Sequence, residues 1–118
     1  MGSLAKATAR GAVAIGDTTE ATGQGTVAIG NRAEADNVMG IAIGTYTKGL
    51  GYGTIGIGGN AEATGNWSMA MGQSSVASAK MSTALGHYSN AKSEKSLAVG
   101  PYASAEDGSF ATAFGILS

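Results

Sequence analysis

Large and small apolar residues alternate in a triplet that returns every fourteen positions: Val13-Ala14-Ile15, Val27-Ala28-Ile29, Ile41-Ala42-Ile43, Ile55-Gly56-Ile57, Met69-Ala70-Met71, Thr83-Ala84-Leu85 and Leu97-Ala98-Val99. A glycine closes each one, at Gly16, Gly30, Gly44, Gly58, Gly72, Gly86 and Gly100, with Gly2 one period earlier. An eighth triplet, Thr112-Ala113-Phe114, ends at Gly115, fifteen residues after Gly100, which places one inserted residue between 101 and 111. The half-period after each glycine has two variable residues and then small, variable, small, as in Asn31-Arg32-Ala33-Glu34-Ala35 and Gly59-Asn60-Ala61-Glu62-Ala63.

Both halves alternate with period two, the signature of a strand, although a fourteen-residue unit could also be two heptads of a coiled coil. Residue type separates the two. The large residues stand two apart rather than three and four, they are β-branched in the early copies, and each triplet is followed by a glycine that would cost a helix about 1 kcal/mol. Each period therefore predicts two strands of roughly five residues joined by two tight corners, one of them made by the glycine and the two residues after it. Eight such coils at about 4.8 Å per strand predict a rod roughly 38 Å long and roughly 17 Å across. In such a solenoid each coil contacts only its neighbours. The whole chain, 1–118, reads as one repeat domain of the all-β class.

The alternation sorts the side chains into two faces. The large set (Val13, Ile15, Val27, Ile29, Ile41, Ile43, Ile55, Ile57, Met69, Met71, Leu85, Leu97 and Val99) forms the repeat core, and we place it inside the roll against the alanines of the second strand. A flat Ala/Ser/Thr face then lies outside, although the pattern alone also admits the reverse. In either orientation a sheet rich in alanine buries little apolar area, about 0.8 kcal/mol per methyl-sized group against about 1.5 kcal/mol of entropy per ordered residue. Packing of several rolls together is the expected remedy.

Composition narrows the function classes. Twenty glycines against one proline suit either a flexible linker or a chain that turns often, and the recurring Val/Ile pairs exclude the linker. A net charge of −1, with seven basic and eight acidic residues spread thinly, provides no basic surface for nucleic acid or anionic lipid. With no cysteine there is no disulfide and no thiolate metal site. The opening residues, Met1 to Lys6, are too short and too polar for a signal peptide, so an exported protein would contain this chain as a portion.

The fourteen-residue unit, Val-Ala-Ile-Gly followed by x-x-Ala-x-Ala, resembles the head repeat of YadA-like trimeric autotransporter adhesins, and the likeness extends from about residue 2 to 115. The fullest family motif has Asn-Ser before Val-Ala-Ile-Gly; the nearest counterparts here are Asn66-Trp67-Ser68 and Lys95-Ser96. The resemblance implies a left-handed parallel β-roll assembled as a homotrimer. It also implies exposure at a Gram-negative cell surface and outer membrane, and a role in virulence by adhesion to host extracellular matrix or a cell-surface receptor. This segment itself would make no direct contact with the membrane, and no cofactor or metal is implied.

Candidate chemistry is sparse. Gly51-Tyr52-Gly53-Thr54-Ile55-Gly56 has the spacing of a dinucleotide fingerprint, but no helix can follow it and Gly56 merely replaces the triplet alanine. His87 is the sole histidine and has no second ligand at metal-site spacing, and no serine has an assignable base, so catalysis is not expected. Glu20, Glu34 and Glu62 share a column with Lys48, as expected of a solvated face. The second residue after each glycine is the column of interest. It includes Arg32, Tyr46, Tyr88 and Tyr102, the candidate ligand contacts, since exposed tyrosines bring large area at low entropic cost. Trp67, with Met39 and Met81 one coil either way, is expected to plug a bulge or a seam between chains. A passive spacer or phage-fibre segment is the alternative to a binding module. An ice-binding face would need ranks of threonine that Thr26 and Thr54 do not extend into.

Overall fold

The computed structural model describes residues 3–115. Gly2, the expected first member of the glycine column, lies outside these residues. Each period folds as one coil with one short and one longer strand. Sixteen strands among the described residues, β1 (Lys6–Ala7) to β16 (Thr112–Phe114), alternate between two and three residues in length. The three-residue strands, from β2 (Val13–Ile15) to β16, form one parallel eight-stranded sheet, here the wide sheet; the two-residue strands form a second, narrow sheet. The strands are shorter than the predicted five residues because the corners take the rest of each period.

Register follows the fourteen-residue period: Ala14 pairs with Ala28, and Glu20 with Glu34. Hydrogen bonds run from coil to coil through strands and corners alike, as in Glu20 N–H to Ala33 O (2.9 Å), Gly30 N–H to Ile15 O (2.8 Å) and Arg32 N–H to Asp17 O (2.9 Å). The extra residue lies in the last corner: Asn90 still pairs with Ser104, but Leu97 pairs with Thr112, so the insertion falls within 106–111. The molecule measures 40 × 21 × 12 Å, close to the expected rod.

The orientation is the reverse of the expected one. The interior holds the small residues, with Ala28, Ala42, Ala70, Ala84 and Ala98 of the wide sheet facing Ala21, Ala35, Ala63, Ala77 and Ala91 of the narrow one, all fully buried. The large set from Val13 to Val99 lies on the outer face of the wide sheet, with Val13 41% and Ile15 42% exposed. Thickness explains this. Two-residue turns at both corners bring the sheets so close that little beyond a Cβ fits between them. A Cβ added to Gly49 would lie 2.5 Å from the carbonyl oxygen of Ile41, and one added to Gly56 would lie 2.8 Å from that of Lys48.

The Ser/Thr column that was expected outside is buried for the same reason, and three of its hydroxyls bond corner carbonyls while those of Ser68 and Ser96 have no partner among the described residues. Thr26 Oγ1 donates to Gly23 O (2.7 Å), Thr54 Oγ1 to Gly51 O (3.1 Å) and Ser82 Oγ to Ala79 O (2.7 Å). The first corner is closed in the same way, by Thr19 Oγ1 on Gly16 O and Ser89 Oγ on Gly86 O.

Candidate functional site

Two columns of side chains stand out from the roll, one at each corner. Each corner is a β-turn whose third residue is left-handed. At the first corner the closing glycines from Gly16 to Gly100 have φ between 117° and 132°, and the second residue after each has φ from 56° (Thr18) to 62° (Tyr102). Pro101 fits the turn position that precedes Tyr102. L-residues are uncommon in this conformation, and here the coil-to-coil hydrogen bonds impose it in every period.

The first-corner column flanks the polar outer face of the narrow sheet. Thr18, Arg32 and Tyr46 line a cleft of about 260 Å³ together with Glu20, Glu34 and Lys48. The cleft continues through Tyr46, Lys48, Asn60 and Glu62. The Arg32 guanidinium sits 5.4 Å from the centre of the Tyr46 ring. Along the cleft floor Lys6 pairs with Glu20 (3.3 Å) and Lys48 with Glu62 (3.9 Å), at exposed positions where such pairs contribute little. The acidic column is therefore a solvated face of the kind expected, with Lys48 stacked between Glu34 and Glu62.

Farther along, Tyr88 and Tyr102 stack with rings 5.4 Å apart and 3° from parallel. His87 meets both edge-on, at 4.4 and 5.7 Å. The four candidate ligand contacts therefore form two groups, Arg32 with Tyr46 and Tyr88 with Tyr102, separated by the short side chains of Asn60 and Ser74. Below the aromatic group, the Ser104 hydroxyl and then the Lys92 ammonium, 3.5 Å away, hold the Glu106 carboxyl below its usual range.

The second corner carries an apolar group among polar neighbours such as Asn66 and Lys80. Met39, Trp67 and Met81 are exposed there, Trp67 to 53%. Met39 lies two coils from Trp67, not one, because Gly53 occupies the position between them. The indole rests over this glycine: a Cβ on Gly53 would come within 3.1 Å of Trp67 Cδ1. Tyr52 braces the indole edge-on at 5.5 Å. The strand after Trp67 pairs in unbroken register, Met69 with Ile55 and with Thr83, so there is no bulge there for it to plug. Sequence reasoning placed the charged column but did not join it to Arg32 and Tyr46 as one cleft, and it missed the Tyr52–Trp67 pair, although residues fifteen apart carried the signal for it.

Among the described residues no cluster of three or more His, Cys, Asp or Glu could hold a metal ion. A sequence model of the YadA head domain repeat, two copies, matches the chain at 1–19, 21–47, 50–75, 68–89, 77–103 and 91–118, the last four segments overlapping. No curated protein matches it.

Proposed function

Because the chain belongs to the YadA head domain repeat family, an adhesin family rather than an enzyme family, we propose that it is the adhesive head of a trimeric surface protein. In this reading three left-handed rolls stand side by side on a Gram-negative cell and attach it to host matrix or cells. The observation that carries the proposal is the two-sided roll. Its outer wide-sheet face is a continuous apolar surface, and its outer narrow-sheet face is polar and grooved.

An apolar face of this size needs a cover. The 40 × 21 Å side of the rod presents a projected area of about 840 Å². A second and third copy of the same face supply that cover, and burial there replaces the core that the alanine interior cannot provide. The polar face then points outward, with Arg32, Tyr46, Tyr88 and Tyr102 as ligand contacts repeated three times, so that weak individual contacts sum through avidity.

Sedimentation equilibrium over a concentration series, followed by binding to immobilised matrix proteins and intact host cells, tests the reading. The expected result is a species near three times the 11.5 kDa chain mass, with saturable binding that a Tyr46→Ala, Tyr88→Ala double variant weakens. A folded monomer would overturn the assembly. A trimer that binds no host surface would leave a passive spacer or fibre segment.

A further inference from the structure

We infer that the end of the cleft beside Tyr46 is a site for a neutral sugar, with one ring laid on the tyrosine and its hydroxyls shared among Lys48, Asn60 and Glu62. The inference rests on the adhesive reading and names its ligand class.

These four side chains line a hollow of about 280 Å³, just below the range of sites that enclose a drug-sized ligand and suited to one ring of a longer one. Tyr46 is its aromatic wall, 46% exposed. Arg32, one coil before, lies over one face of the ring, so the open face looks across Asn60, one coil after. An aromatic face is the negative side of its quadrupole and attracts the weakly positive C–H groups on the flatter side of a pyranose.

The polar walls select the rest of the ligand. Lys48 and Glu62 stand 3.9 Å apart and cancel in charge, so an ionic ligand would be repelled by one while it paired with the other. An apolar ligand would strip water from both and return no hydrogen bond. A hydroxyl both donates and accepts. Neighbouring hydroxyls of a sugar therefore give to Glu62 and take from Lys48, and the Asn60 amide serves either kind. An extended peptide finds no backbone partner here, because the narrow-sheet amides already bond between coils, Lys48 N–H to Ala61 O and Glu62 N–H to Ser75 O, both at 2.9 Å. One such site binds weakly, and three per trimer along a glycan-bearing surface sum to firm attachment.

Titration of the nitrogen-labelled protein with lactose, cellobiose, maltose and sialyl-lactose, followed by amide NMR, tests the site. At least one of the neutral sugars should shift the amides of Tyr46, Lys48, Asn60 and Glu62 saturably at millimolar concentration. Tyr46→Phe should keep the response and Tyr46→Ala abolish it; Ser74 has the same φ as Tyr46 (59°), so the column accepts a small residue without loss of fold. Glu62→Gln and Lys48→Gln should each weaken binding about tenfold, the effect of one hydrogen bond to a charged group. Lys80→Gln, exposed on the other corner, should leave it unchanged. Silence toward every sugar, a response that survives Tyr46→Ala, or sialyl-lactose bound far more tightly than lactose would overturn the neutral-sugar site. Host cells that the same protein still binds would then leave the adhesive reading standing, whereas binding to neither would overturn both.

Discussion

Replacing Gly72 with alanine tests whether coils stack backbone on backbone. The new Cβ would lie 2.6 Å from the carbonyl oxygen and 2.7 Å from the carbonyl carbon of Gly86, well inside van der Waals contact. The next coil cannot withdraw without stretching the bonds that hold it, Gly86 N–H to Met71 O at 2.8 Å and Tyr88 N–H to Gln73 O at 2.9 Å. Gly72 also has φ +130°, which L-residues avoid at a cost of about 1–3 kcal/mol. Overpacking adds about 1–3 kcal/mol. We therefore expect a loss of about 3–5 kcal/mol. Gly108→Ala isolates the backbone part, since Gly108 has φ +79° but nothing within 4 Å of its new methyl, and it should cost about 1–2 kcal/mol. Urea unfolding followed by circular dichroism, at one fixed protein concentration, measures both. Equal losses for the two variants would refute the close stacking.

Two further outcomes follow from the burial and charge pattern. Ala84→Leu, inside the roll, should prevent folding or cost more than about 3 kcal/mol, whereas Ile57→Ser on the outer face should keep the β-rich dichroism and weaken self-association; the opposite ranking would restore the large-side-in orientation. Glu106 should titrate below the ordinary glutamate range by NMR and move back up in Ser104→Ala. Its folded pKa is the lower one, so its small stabilisation is complete above the ordinary range and fades as pH falls through the folded value.

The period, the parallel register, the corner glycines and the tyrosine stack were legible in the sequence because each depends only on what recurs at fourteen. Tyr88 and Tyr102 had to be neighbours once the coil length was known. Alternation shows that Val27 and Ile29 share a side and Ala28 has the other; it does not show which side is inside. That is decided by the separation of the sheets, which the corners set. Two signals pointed to the answer: Thr26 and its column could reach corner carbonyls only from inside, and Gly49 and Gly56 replace alanine where an interior would tolerate nothing larger. The division of the ligand candidates into two groups was harder to read, because it depends on how far Asn60 and Ser74 fall short of the tyrosines around them.

The hydrogen bonds between coils have a mechanical consequence. They run along the length of the rod, so tension between its ends loads them coil by coil, as in peeling tape, and not all together in shear. Each coil that opens releases fourteen residues and lengthens the chain by about 40 Å, while the coils behind it keep their own contacts. Under flow, such a rod would yield in steps and lengthen before it let go.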